Sequence, residues 1–181
     1  MCVADLSADS LKKARELLAQ CALSGRADFR VGDGLTVLPR PAQAIAILGM
    51  GGRTLSDILV NGKECLHDAA LILSAHTDMP LVRKTLMDLG YFIDNEAISR
   101  TAGRFYVLLR AVPGQEVLNE KKLCLGPRLT ESNLPNYPEF LEWRIALASK
   151  KQSDEGKREL QWLREEYERV CHCKDGGRNA E

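Results

Sequence analysis

The sequence is poor in the features that announce most specialised proteins. No apolar run approaches the roughly 18 residues of a membrane-spanning helix; the longest, 44–49 and 69–75, are strand-sized. Neither sign of charge is in excess, with 25 Lys and Arg against 25 Asp and Glu. No global positive field therefore advertises a nucleic-acid binder, although a local basic patch can hide within a neutral total. The G-x-S-x-G of hydrolases is absent, as are the Lys-Ser/Thr of a phosphate loop and the spacing of the dinucleotide fingerprint. A nicotinamide-dependent oxidoreductase thus has no support. Residues 1–4 run straight into charged residues, unlike a signal peptide. The six cysteines (Cys2, Cys21, Cys65, Cys124, Cys171, Cys173) lack a framework spacing, so reduced thiols in a cytoplasmic protein are expected. Cys171-His172-Cys173 are adjacent residues that cannot complete a tetrahedral site, and no metal is expected.

What is present reads as one globular domain with an appendage. The 181 residues are 45% hydrophobic and 28% charged, which excludes a disordered chain. Leu11, Ala14, Leu17, Leu18 and Cys21 predict one apolar face on a helix over about 10–23, with Gly25 as its stop. Residues 28–31 read as a short strand ending at Gly32-Asp33-Gly34. The apolar run 44–48 reads as a strand buried on both faces, ending at Gly49-Met50-Gly51-Gly52, with a helix over 53–60. A strand over 70–74 and a helix over 79–89 follow, with Pro80 in the helix's first turn and Gly90 as its stop. The runs 91–98 and 104–110 predict a β-hairpin. Alternating helices and strands imply parallel pairing, so the fold class is α/β: a parallel sheet finished by an antiparallel hairpin.

Composition changes after Pro113-Gly114, dividing the chain into 1–114 and 115–181. Phe140, Trp143 and Leu147 mark one helix over about 138–151. Leu160, Leu163, Tyr167 and Val170 mark another over about 154–171, and the two predict an antiparallel helical hairpin. Residues 174–181 read as a disordered tail.

In an open parallel sheet, ligands bind outside the carboxyl ends of the strands. Asp5 ends the first strand, where a carboxylate can accept both ribose hydroxyls or simply cap a turn. Asp33, between two glycines, can accept from an adenine amino group or serve as a turn residue. The backbone of Gly49, Met50 and Gly51 can approach a flat substrate. His67 and His76 have no partners at metal-ligand spacing and read as structural or solvent-facing. Trp143 and Trp162 read as packing residues. Arg53, Arg83, Lys84, Arg100 and Arg104 lie on segments that follow strands, where an RNA phosphate can pass.

A longer pattern joins these features. It runs through Arg30-Val31-Gly32-Asp33-Gly34-Leu35, Ile47-Leu48-Gly49-Met50-Gly51-Gly52 and Leu71-Ile72-Leu73. It continues through Pro80-Leu81-Val82-Arg83, Leu89-Gly90-Tyr91, Gly103-Arg104-Phe105-Tyr106 and Leu125-Gly126-Pro127. In order and spacing the chain resembles the bacterial tRNA (adenine-22-N1)-methyltransferases. The resemblance implies a Rossmann-like class I methyltransferase sheet with a C-terminal helical hairpin. It implies S-adenosyl-L-methionine as the small-molecule methyl donor and tRNA as the partner. It places Asp5 at the cofactor ribose, Asp33 and Gly34 beside the adenine ring, and Gly49, Met50 and Gly51 at the methyl-transfer site. It also implies a further strand, preceding residue 1 and lying mid-sheet, that this sequence does not contain. A gap there predicts either a shortened catalytic chain or a non-catalytic RNA-binding or interaction module, with self-association through the incomplete sheet. Ser74-Ala75-His76 stand where the family usually has Gln-Pro.

Overall fold

The computed structural model describes residues 1–132 and 134–175. Its elements are β1 (Cys2–Asp5), α1 (Ala8–Gln20), β2 (Asp28–Val31), β3 (Ala44–Met50), α2 (Gly52–Asn61), α3 (Lys63–Leu66) and β4 (Ala70–Ala75). There follow α4 (Met79–Asp88), β5 (Tyr91–Thr101), β6 (Arg104–Pro113), α5 (Glu120–Leu125), α6 (Tyr137–Ala148) and α7 (Asp154–Asp175). The apolar runs became strands, but β3 is not buried on both faces as expected. Ile45 and Ile47 enter the core, whereas Ala44, Ala46 and Leu48 are exposed, because among the described residues no strand pairs with the other edge of β3 and little covers that face.

The strands form two sheets. β1 and β2 pair in parallel, with Cys2 opposite Asp28 and Asp5 opposite Val31. The second sheet has the order β3-β4-β6-β5. There β3 and β4 are parallel, β6 is antiparallel to β4, and β5–β6 is the expected hairpin. β1 and β3 do not pair, and a cleft separates them.

One apolar core lies between the larger sheet and its helices, around Ile45, Ile47, Leu55, Leu59, Leu71, Leu73, Val82, Leu86 and Leu109. A second core joins Phe105 and Val107 of β6 to Leu129, Phe140, Leu141 and Leu163. The helices α6 and α7 run antiparallel, as the contacts Tyr137–Glu166 and Arg144–Glu159 show. Trp143 stacks on Phe140 and tilts against Phe105, a packing role. Leu147, expected on the inner stripe, is largely exposed instead, because α6 ends at Ala148 and Ala148 makes the last inward contact.

Several boundaries differ from the sequence expectation. α1 begins two residues early, capped by the Ser7 hydroxyl accepting from the Ser10 N–H. It ends at Gln20 rather than 23 because Ala22 itself adopts the left-handed conformation, φ 57°, ahead of Gly25. Its apolar stripe is real but mostly uncovered: Leu11 is buried, whereas Leu17 is 61% exposed. The cause is that α1 has only the two-stranded sheet beneath it. At the other end α7 runs through Lys174 and Asp175, so part of the expected tail is helix. The remainder of that tail, 176–181, lies outside the described residues.

Candidate active site

Three strand ends carry the candidate residues. Asp5 closes β1, and its Oδ1 accepts the Ser7 N–H at 2.7 Å, the turn role that the sequence left open. That bond occupies one oxygen of an exposed carboxylate. Asp33 follows β2 at the start of a short 3-10 turn, Gly34–Val37. Its carbonyl oxygen accepts from the N–H and hydroxyl of Thr36, while its side chain makes no capping bond and stands exposed. The turn is thus built by the backbone, and the Asp33 carboxylate is left for another partner.

Gly34 has φ 51°, and a Cβ there would lie 2.9 Å from a methyl of Ile58. Gly49 has φ 81°, in a break of the β3–β4 register between Leu48 and Met50. Both positions therefore favour glycine on backbone and contact grounds. The break at Gly49 interrupts the ladder three residues before α2 begins.

The residues are distributed over two recesses. Asp5, Gly34 and Met50 line the cleft between the two sheets, which has a volume of about 1320 Å3. Asp33 and Gly34 line a smaller one of about 150 Å3 with Thr36, Asp57 and Asn61. Gly34 is common to both. Gly49 and Gly51 line neither; they lie beside the chain that leaves β4.

That neighbouring chain supplies further candidates, including His76, which the sequence read as structural or solvent-facing. The His76 N–H donates to the Met50 carbonyl at 2.9 Å, so the two strand ends are tied together. A Cβ on Gly49 would lie 3.9 Å from His76 Nε2, and one on Gly51 would lie 3.5 Å from Thr77 Oγ1. The ring of His76 meets Tyr106 edge-on, with centroids 5.6 Å apart. Ser74 and Ala75 are buried and only His76 of that trio projects. Tyr106 entered the sequence reading only as part of the Gly103-Arg104-Phe105-Tyr106 pattern, with no role at the site.

The basic residues divide. Arg83 is 1% exposed and paired with Glu96, so it cannot meet a phosphate. Lys84 pairs with Asp88, and Arg100 pairs with Glu139 and covers the Phe105 ring. Arg53 and Arg104 remain exposed. Among the described residues no cluster of His, Cys, Asp or Glu is arranged to hold a metal.

The sequence and the fold have relatives among known proteins. A curated tRNA (adenine(22)-N(1))-methyltransferase of Bacillus subtilis is 33% identical over 103 residues, covering 56% of this chain. The matched stretch covers 43% of that relative, so the chain spans less than half of its length. The crystal structure of Streptococcus pneumoniae Sp1610, a putative tRNA (m1A22) methyltransferase in complex with S-adenosyl-L-methionine, superposes with a TM-score of 0.83. It is 23% identical and covers 92% of this chain and 80% of its own. The M. capricolum TrmK structure, in complex with S-adenosyl-homocysteine, superposes with a TM-score of 0.68 at 18% identity, covering 96% of this chain and 80% of its own. At such identities these likenesses establish the Rossmann-like methyltransferase fold. The model of the TrmK family, tRNA (adenine(22)-N(1))-methyltransferase, matches residues 1–170, and the chain belongs to that family.

Proposed function

We propose that the chain carries out S-adenosyl-L-methionine-dependent methyl transfer to N1 of adenine 22 in tRNA. The observation that supports this reading is that Asp5, Gly34 and Met50, from the ends of β1, β2 and β3, line one cleft, which meets the Asp33 turn through Gly34. The donor set fits the cofactor. Asp5 has a carboxylate oxygen for ribose hydroxyls, and Asp33 has a free carboxylate for an adenine amino group. Gly34 lets a flat ring approach the backbone.

When bound, S-adenosyl-L-methionine supplies a sulfonium methyl group, which the lone pair of adenine N1 can take without a strong base. The protein's task is then positioning and exclusion of water. Gly49, Met50 and Gly51 present backbone and one half-buried thioether side chain at the proposed transfer point. His76 and Tyr106 flank that loop and give an unstacked base an aromatic wall. Exposing the base in tRNA costs a few kcal/mol of stacking, which contacts of this kind offset.

The division of labour proposed is that 1–114 holds the methyl donor and 115–181, with its helical hairpin, holds the tRNA. No helix among the described residues is long and apolar enough to cross a membrane; the cytoplasm is the proposed compartment. The unpaired edges of β1 and β3 also make self-association the expected behaviour of the isolated chain. The divided sheet gives one specific reason for a second reading, an RNA-binding module without catalysis, because Asp5 and Gly49 sit on separate sheets.

Calorimetric titration of S-adenosylhomocysteine into the chain separates the readings. Saturable one-to-one binding, with methyl incorporation into tRNA at N1 of adenine 22, supports the enzyme. Binding of tRNA without any binding of S-adenosylhomocysteine leaves only the module.

A further inference from the structure

The outer part of the β5–β6 hairpin overhangs the rest of its sheet. The β4–β6 ladder covers Leu109–Ala111, whereas the β5–β6 ladder continues as far as Thr101 opposite Arg104. The ribbon made by 97–101 and 104–108 therefore has two faces of its own. On one of them Ile98, Phe105 and Val107 share an apolar core with Phe140, Leu141 and Trp143. A two-stranded ribbon is marginal alone in water, so the backing by α6 holds the overhang in place.

Directly opposed residues of an antiparallel pair share a face. The other face thus carries Ala97 with Leu108, Ser99 with Tyr106, and Thr101 with Arg104. The one charge among these six side chains is positive. The acidic groups belong to the backed face, where Glu139 pairs with Arg100 and Glu96 is buried.

The open face runs into the proposed transfer loop, because Tyr106 meets the His76 ring edge-on at 5.6 Å. Arg104 lies two residues farther along β6, about 7 Å away. Arg53 stands on the opposite side of His76 in the order β3-β4-β6, as the second residue of the helix that follows Gly49-Met50-Gly51. Neighbouring strands are about 4.8 Å apart, which sets β3 and β6 about 10 Å apart across β4. Arg53 and Arg104 are both exposed, and neither guanidinium has a partner among the described residues. Arg83, Arg100 and Arg110, by contrast, each have a carboxylate. A free guanidinium on each side of an aromatic pair suits a ribose-phosphate strand with one base turned inward between two phosphates.

We propose, on the basis of the tRNA methyltransferase reading above, that Arg53 and Arg104 hold the tRNA phosphates on either side of the nucleotide entering the transfer site. The open face of the hairpin tip, with Tyr106 at its inner end, carries the strand between them. These are contacts to backbone and to a ring face, so they add affinity and placement without reading base edges.

The test titrates a fluorescent tRNA transcript carrying adenine 22 with the full 181-residue chain and its variants, at about 50 to 200 mM KCl. Arg53→Ala and Arg104→Ala should each flatten the slope of log affinity against log salt by about 0.7–0.9, the share of one phosphate, and the double variant by about twice that. Arg104→Lys should keep the slope. Tyr106→Ala should weaken binding about 5- to 150-fold at an unchanged slope, while Tyr106→Phe binds as the wild type does. Ser99→Glu, which sets a carboxylate on the open face opposite Tyr106, should weaken binding as well. The arginine and Ser99 variants should keep the wild-type melting temperature and affinity for S-adenosylhomocysteine.

Unchanged slopes in both arginine variants, or full tRNA affinity in Ser99→Glu, overturn the proposal; S-adenosylhomocysteine binding by the same chain then still upholds the methyltransferase reading. A wild-type chain that binds tRNA but not S-adenosylhomocysteine ends that reading instead, and flattened slopes would uphold the phosphate contacts. A chain without affinity for tRNA overturns both.

Discussion

Arg83 places Nε and Nη2 on the same oxygen of Glu96, each at 2.8 Å, and neither side chain is more than 1% exposed. The other Glu96 oxygen accepts the backbone N–H groups of Arg128 at 2.9 Å and Leu129 at 3.3 Å. Arg83 also donates to the carbonyls of Leu123 and Cys124. One buried ion pair thus ties α4 and β5 to the segment that leads into the helical hairpin.

Removing one member of such a pair leaves a buried charge without compensation, which costs about 3–5 kcal/mol. Glu96→Ala should lower the Tm by roughly 6–20 °C, at about 2–4 °C per kcal/mol for a chain of this size. Glu96→Gln keeps an acceptor for Arg128 and Leu129 and should cost less. Equal losses in differential scanning calorimetry would show that the backbone bonds contribute nothing.

Gly52 and Gly51 should respond differently to alanine. A Cβ at Gly52 would lie 2.5 Å from the Thr77 carbonyl oxygen and 2.7 Å from that of Asp78, both backbone atoms. At Gly51 the nearest atom is a side-chain hydroxyl at 3.5 Å. Gly52→Ala should therefore cost about 1–3 kcal/mol through overpacking, and Gly51→Ala well under that. Urea midpoints of the two variants provide the check.

The two aspartates should separate binding from stability. Asp33 makes no side-chain cap bond, so Asp33→Ala should leave the Tm unchanged. It should weaken S-adenosylhomocysteine binding about 10- to 150-fold, the worth of a hydrogen bond to a charged group. Affinity for tRNA should stay the same. Asp5→Ala should weaken binding too, but it also removes the acceptor of the Ser7 N–H at the start of α1. A calorimetric titration beside a melting curve distinguishes these patterns.

Glu159 supplies a pH dependence. Burial alone would raise its pKa, but hydrogen bonds from Lys151 and Arg144 outweigh that and hold it below the usual glutamate range. A carboxylate lowered on folding contributes stability above its unfolded pKa, about 4.3. That contribution disappears as pH falls through the lower folded value. The wild type should thus lose urea resistance more steeply below about pH 4.3 than Glu159→Gln does. Parallel acid limbs for the two proteins would rule this out.

What was legible in the sequence was what local pattern controls. The runs at β3 and β4 are apolar on both faces and end in glycine or at a buried Ser-Ala, so their strands and their carboxyl ends could be read directly. The hairpin helices followed from Phe140, Leu163 and their spacing. Arg83 was not legible as a core residue, because its partners lie on other elements, Glu96 on β5 and the carbonyls of Leu123 and Cys124 in α5. Nor could the stripe on α1 reveal that little would cover it: an amphipathic pattern states a need for a neighbour without supplying one. His76 and Tyr106 meet only through the β4–β6 pairing, a relation that neither segment carries alone.

The separation of the two sheets has a thermodynamic consequence. β1, α1 and β2 touch the rest chiefly through the turn after β2, and Leu11 is the one fully buried apolar side chain within residues 1–31. So small a core cannot share one all-or-none transition with the body that holds Leu55, Leu71 and Leu109. On heating, the N-terminal pair of strands should melt first, and the calorimetric enthalpy should exceed the van't Hoff value. A melting temperature for this chain is then a property of the four-stranded body, and the segment bearing Asp5 follows a curve of its own.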